Sequence, residues 1–377
     1  GYENTSGDSN VFLGNKSGAC NDYGNQNVFI GHHTGEKNVE GNTNVFIGYH
    51  TGYINTSGND NVFLGTYAGA SNDSGDSNVF VGTQAGKENI YGKQNVFIGY
   101  SSGLSNESGN FDTFIGYQAG TNNDQGSYNV FLGYQAGYTN ANSDNNVFVG
   151  TQAGYTNRSG NDNVFLGYRA GYENTSGDSN VFLGNKSGHS NTGSSNVFVG
   201  ESTGENNEGN ENVFVGKSSG ENYNGNQDTF VGYQAGTYGN GDLNVFVGYK
   251  SGMYNEGNED TYIGYSAGSK IKGSKNTIIG YNAGNSESEI NVDDSVFVGY
   301  GVGENLNTEK STIVGYNAGS SLNNSGTINN TFFGYNVGGT EGNLNTYMGT
   351  NTANNSTGSY NVALGHNAGK DSQIQRS

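Results

Sequence analysis

The groups in this 377-residue chain that could support metal or nucleophile chemistry are five histidines, one cysteine and a scatter of acids. A metal centre or catalytic triad needs such groups at ligand or hydrogen-bond spacing. His32, His33, His50, His189 and His366 read as dispersed, without a Cys or carboxylate partner at that spacing, so neither arrangement is expected. Cys20 has no second cysteine to pair with and reads as a loop thiol. Turns such as Gly58-Asn59-Asp60 and Gly75-Asp76-Ser77 offer the oxygen ligands that calcium prefers. The roll motif G-G-x-G-x-D is absent, however, and the acids drift: Asp60 and Asp162 stand one residue before the apolar core of the repeat, Asp76 and Asp178 two before. Solvating charge is the simpler reading and no cofactor is expected, with structural calcium as the alternative. Thr keeps no column, which argues against ice binding. Asn4, Asn55, Asn72, Asn106, Asn157 and Asn174 head N-x-S/T sequons and are glycosylation candidates in a secreted setting, against the plainer reading of unmodified structural Asn.

Composition narrows what can hold these groups. The chain carries 66 Gly, 63 Asn, no Pro, no Trp, 31% hydrophobic residues and a net charge of −19. Taken alone, such values describe a solvated, disordered chain. The apolar residues nevertheless fall in short triplets at regular intervals, which calls for a repeat reading. Lys and Arg number only 15, too few for a phosphate-backbone footprint, so nucleic acid is not an expected partner. Apolar runs of three or four residues are far below the ~20 needed to span a membrane, so no insertion by this segment is expected. The stretch Gly1 to Gly18 recurs unchanged as Gly171 to Gly188. The chain is therefore expected to open inside a repeat and to be a segment of a longer protein.

Aligned on the triplet, the first core position falls at Asn10, Asn27, Asn44, Asn61, Asn78, Asn95, Asp112, Asn129, Asn146, Asn163 and Asn180, always 17 apart. The spacing is 16 from there to Asn276, then 19, 16, 19, 15 and 16 to Asn361, which makes 22 units. The consensus is N-V-F-[ILV]-G-Y-Q-A-G-Y-x-N-x-S-G-x-x, with length changes confined to the stretch after the second glycine, the mark of a solvent loop. So short a unit cannot hold a helix pair. It matches one coil of an all-β parallel β-solenoid, or β-roll, with one coil per 16–17-residue repeat and about 22 coils. The sequence predicts a single domain over 1–377, strict over 1–189 and 16-residue or irregular over 190–377. At the ~4.8 Å strand spacing it would form a rod on the order of 100 Å long. Asn10, Asn27, Asn44, Asn61, Asn78, Asn95, Asn129, Asn146, Asn163 and Asn180 are expected to stack as a ladder, each amide donating to one neighbouring coil and accepting from the other. A second Asn column, from Asn4 and Asn21 to Asn174, runs six residues ahead. Where the core Asn becomes Asp, at Asp112, Asp228 and Asp260, Thr follows each time, and the pair reads as a local hydrogen-bond repair.

Alternation along a strand puts Val11 and Leu13 on one face and Phe12 on the other, and both are apolar. One face must point outward, and an apolar strip along many coils calls for a cover. The expected stripe is Phe12, Phe29, Phe46, Phe63, Phe80 and Phe97, or Val and Ile if the polarity is reversed. Other copies of the chain are the most economical cover, in a parallel homo-oligomer with threefold or twofold symmetry or a lateral filament. In the competing reading Phe turns into a wide interior, Val and Ile are half covered by Tyr100, Tyr117, Tyr134 and Tyr168, and the protein is a monomer.

The pattern N-V-F-[IL]-G-x-x-A-G followed by a Gly-containing loop, from Asn10 to Gly369, resembles the head repeats of trimeric autotransporter adhesins of the YadA type. It also looks like the N-[TV]-F-[IL]-G-Y-Q-A-G arrays of bacterial surface and phage tail-fibre proteins. The resemblance implies a left-handed roll, a trimer, an extracellular or cell-surface location, and binding to surface glycans or matrix. The chain departs from the family in its longer unit and in carrying Phe12 and its equivalents where the family's heads have Ala. No stalk, neck or anchor of the family is visible in it. The expected function is a non-enzymatic structural rod of an adhesin or fibre that mediates attachment or assembly. A phage-type tail-fibre rod is the alternative. A carbohydrate-processing β-helix is the second; it would need a cleft of convergent carboxylates, and with Arg only at Arg158, Arg169 and Arg376 no enzyme is expected. If one patch is specific, the long loops 285–294 and 320–329 are where to look.

Overall fold

The protein is described here by a computed structural model covering residues 1–320, 326–339, 342–354 and 356–370. Those residues form strands and turns, and no helix among them is long and apolar enough to cross a membrane. Where the sequence expects one domain, the chain divides into two compact units, Gly1–Ser195 and Asn196–Ser377. The boundary falls where the spacing between core positions first shortens to 16, between Asn180 and Asn196.

The first unit is a parallel β-solenoid of three-residue strands, running from Val11–Leu13 to Val181–Leu183. Each strand pairs in register with its successor, so that Val11 faces Val28, Phe12 faces Phe29 and Leu13 faces Ile30. The strands are short because glycine turns the chain at once. Gly31 has φ +139°, and a Cβ there would stand 2.1 Å from the carbonyl oxygen of Gly48 in the next coil. Gly35 has φ +57°, with the Phe29 ring 2.6 Å from where its Cβ would be. Only glycine meets both demands. The intervening corner residue is also left-handed, as at Gln84 (φ 61°) and Gln118 (φ 54°), so the corner is built from alternating conformations that no strand or helix shares. The small residues at the inner corner, among them Ala68, Ala85 and Ser102, are fully buried.

These corners decide which way the triplet faces. Phe29, Phe46, Phe63, Phe80 and Phe97 are fully buried, so the expected exposed Phe stripe is overturned; Phe12, in the first coil, is half-buried. The rings stack down the interior, Phe46 on Phe63 with centroids 4.7 Å apart and planes 4° from parallel. The strand spacing is itself a comfortable ring-stacking distance, so a Phe in every coil fills the core without a second hydrophobic layer. Each ring contributes on the order of 2–3 kcal/mol by burial. The polarity is the reverse of the expected one: Val62 is 40% and Leu64 45% exposed.

The second unit starts in the same way, with Phe198, Phe214, Phe230 and Phe246 buried, and then changes. Tyr262 and Ile278 take the ring position, while Ile271, Ile290, Val292 and Leu306 enter the core from the loop side. The strands lengthen to five residues at Val296–Tyr300, Thr312–Tyr316, Thr331–Tyr335 and Thr346–Thr350. Val292–Asp293, Thr308–Glu309 and Thr327–Ile328 form a second, small parallel sheet. The stretch 285–294 is therefore core and sheet at its end. Of 320–329, residues 321–325 lie outside the described residues.

Candidate functional site

The side chains that repeat most strictly are the asparagines, and they are structural. The Asn27 backbone N–H donates to Oδ1 of Asn10 at 2.9 Å, and Asn44 and Asn61 repeat the bond at the same distance. Each side-chain Nδ2 reaches on to the coil that follows, as from Asn27 to the Gly41 carbonyl at 2.8 Å. In the second column, Nδ2 of Asn38 donates to Asn21 at 2.7 Å and that of Asn72 to Asn55 at 2.8 Å. Both columns form ladders, but only the second runs amide to amide as expected; in the first each amide donates to and accepts from backbone groups of the coil that follows. A third, which the sequence reading missed, runs along the outside two residues before the core and in the opposite sense. There the N–H of Asn25 donates forward to Asn42 at 2.9 Å, Asn59 to Asp76 at 3.0 Å, and Asn161 to Asp178 at 2.7 Å. Its signal was a column that accepts Asn, Asp or Ser, which looked like acids out of place. Asp76, a calcium candidate, is taken up by this ladder and by Lys93 at 2.7 Å.

Of the six loop-column asparagines that head sequons, Asn55, Asn72, Asn106, Asn157 and Asn174 are fully buried in the second ladder and Asn4 is exposed. A glycan on any of those five would have to displace the amide that joins two coils, so the folded chain does not accept one there. Asp112, Asp228 and Asp260 sit buried in the first ladder with their carboxyls shifted upward by burial, Asp228 to about 8 and Asp260 to about 7. The expected hydrogen-bond repair is not found: Oδ1 of each acid keeps the ladder bond from the next backbone N–H, Oδ2 of Asp112 and of Asp260 accepts from Asn123 and Asn255, and Thr113, Thr229 and Thr261 lie on the partly exposed outer face of their strands.

That outer face is exposed and partly apolar in each unit. It carries a Val or Thr column, a Val, Ile or Leu column and, past the corner glycine, a Tyr column. In the second unit Tyr233, Tyr249, Tyr265, Tyr281, Tyr300, Tyr316 and Tyr335 stack without interruption at 4.7–5.3 Å between centroids. In the first unit the run is Tyr100, Tyr117 and Tyr134, at 5.2 and 5.3 Å. Because the rings cover one another's faces, what they present outward is edges and hydroxyls beside an apolar strip.

The histidines are not all dispersed. One ring nitrogen from each of His32, His33 and His50 lies within 4.8 Å of the others. His33 and His50 differ by 17, one coil, so wrapping stacks their rings at 4.7 Å. His33 is left-handed (φ 54°), and its ring lies against that of its neighbour His32 with centroids 4.0 Å apart. The Glu36 carboxylate binds Nδ1 of His33 and stands 3.8 Å from the Lys16 ammonium. Burial, then the His33 and His32 charges, lower the His50 pKa. Compared with known protein families, with curated proteins and with solved structures, the chain has no match.

Proposed function

We propose that the chain is a non-enzymatic structural rod of an extracellular adhesin or fibre, and that its repeated outer face packs against other copies of itself. The observation that supports this reading is the continuity of that face. In the second unit the Tyr column and the flanking Ile263, Ile279 and Val296 stay exposed through consecutive coils, Tyr300 at 46%. A strip of this kind in water stabilises whatever buries it, at roughly 25 cal/mol per Å² of apolar surface removed from solvent. The similarity to adhesin-head repeats favours a threefold arrangement about the coil axis.

Light scattering at micromolar concentration tests the reading. The parent chain is expected at a small multiple of 39.6 kDa. The combined variant Ile263→Thr, Tyr265→Ser, Ile279→Thr, Tyr281→Ser should shift to the monomer mass with an unchanged circular dichroism spectrum. Thr is already tolerated on this face at Thr113 and Thr229. A parent that is itself monomeric across that range removes self-association and leaves the face to another partner.

A further inference from the structure

We propose that His32, His33 and His50 form a binding site for a divalent transition-metal ion, with Glu36 as the outer partner that orients His33 and one coordination position left to water. Three imidazoles suit zinc, nickel or copper and disfavour calcium and magnesium, which take oxygen ligands. A tetrahedral zinc at ~2.0–2.1 Å from each nitrogen needs those nitrogens closer than their present 4.8 Å limit. Side-chain rotation of an exposed His32 and half-buried His33 and His50 supplies that movement without displacing backbone. A proton on Nδ1 of His33, held by the Glu36 carboxylate, leaves the Nε2 lone pair for the ion, the usual second partner of a metal-bound histidine. Lys16 in turn holds Glu36 from the coil before.

Ring stacking alone accounts for less. It explains His50 over His33, in a corner column that varies through Lys16, Tyr67 and Ser101 and carries Gln at Gln84, Gln118, Gln135 and Gln152. It does not explain a third imidazole beside that pair, nor a carboxylate fixed on the inner nitrogen of one of them. The site would join two consecutive coils, since His32 and His33 belong to one and His50 to the next. An ion there closes a 17-residue loop with a bond that the amide ladders do not supply.

The test uses the tag-free 377-residue chain titrated with zinc chloride by calorimetry, with cobalt(II) as a spectroscopic stand-in. The expected result is saturation near one zinc per chain, a raised melting temperature, and visible cobalt bands of a four-coordinate nitrogen-rich site. His33→Gln with His50→Gln installs the residue the column already carries, so the coil should fold unchanged while affinity falls about 100-fold or more. Glu36→Gln should weaken binding about tenfold, and His189→Gln should leave it as it is. Absence of saturable zinc uptake, or uptake that survives the double substitution in a chain with parental circular dichroism, overturns the proposal.

Discussion

The coils of the first unit and those of the second unit from Ile271 onward solve the same problem in different ways. Between Asn21 and Asn157 the loop side of every coil is sealed by a buried amide that bonds the coil before and the coil after. At the matching place in the later coils stand Ile271, Ile290 and Leu306, buried without polar atoms, beside a small parallel sheet. The amide ladder works only when each coil presents its amide at the same height, and the repeat there is held at 17. Aliphatic packing has no such directionality, and there the spacing wanders through 19, 16, 19 and 15. The coils between are mixed, with Tyr223 and then Gly239 at this place before a buried Asn255 returns to it. Tyr223 occupies the amide place, its hydroxyl donates to the Gly241 carbonyl at 2.6 Å and accepts from Asn244 at 2.8 Å, and the ring fits because Gly239 follows.

The contrast can be broken or sharpened by substitution, with urea unfolding as the readout. The largest effect is expected at Phe131, stacked between Phe114 and Phe148 at 4.7 and 4.8 Å. Phe131→Ala should cost about 4 kcal/mol, more than Ile278→Ala at about 3 kcal/mol in the aliphatic coils. Equal costs would mean that ring stacking adds nothing to volume filling. Next, Asn72→Leu should cost about 3 kcal/mol, because it strips a partner from Asn55, Asn89 and the Gly75 carbonyl together. If it were neutral, the polar ladder would be exchangeable for the aliphatic one at any coil, and the contrast would dissolve.

The smallest effect is expected at Asp228, whose Oδ2 has no hydrogen-bond partner among the described residues. Its carboxyl is raised from 3.8 to about 8 in the fold, so the folded chain holds a proton there that the unfolded chain releases. The stability it contributes is full below about 4 and is lost as pH rises through about 8. Asp228→Asn should therefore raise stability at pH near 8 by about 2 kcal/mol and flatten that part of the pH profile. An unchanged profile would show that the buried acid is already compensated.

Coil count, strands, glycine corners and two ladders were legible in the sequence because each is a single residue type returning at a fixed interval. The facing of the triplet was not. Val11, Phe12 and Leu13 satisfy an inward rule on either side, and only the left-handed corner geometry at Gly14, Lys16 and Gly18 selects Phe. The third ladder was hidden because backbone N–H groups do the donating, so its column tolerates Lys93 and Ser127 as well as Asn. The histidine cluster was hidden because ligand spacing is ordinarily sought within a few residues, whereas His33 and His50 meet only once the chain has gone round. Residues such as Thr308 and Thr327, paired in two-residue strands, leave too short a trace to be read as sheet.

The sameness of neighbouring coils has a consequence for how the protein can vary. Most coils of the first unit offer the next the same ring, amides and carbonyls, so one such coil can be lost or copied with its ring-stacking and ladder contacts matched. The recurrence of Gly1–Gly18 as Gly171–Gly188 shows how little distinguishes one coil from another. Length can then drift in steps of one coil, while a half-step is forbidden. The same property is a hazard as the chain assembles: a strand that pairs one coil out of step finds the partners it expects, and only an extruded loop records the error. Tyr223 over Gly239 fits one neighbour and no other, so the irregular coils serve as index marks by which the chain keeps count.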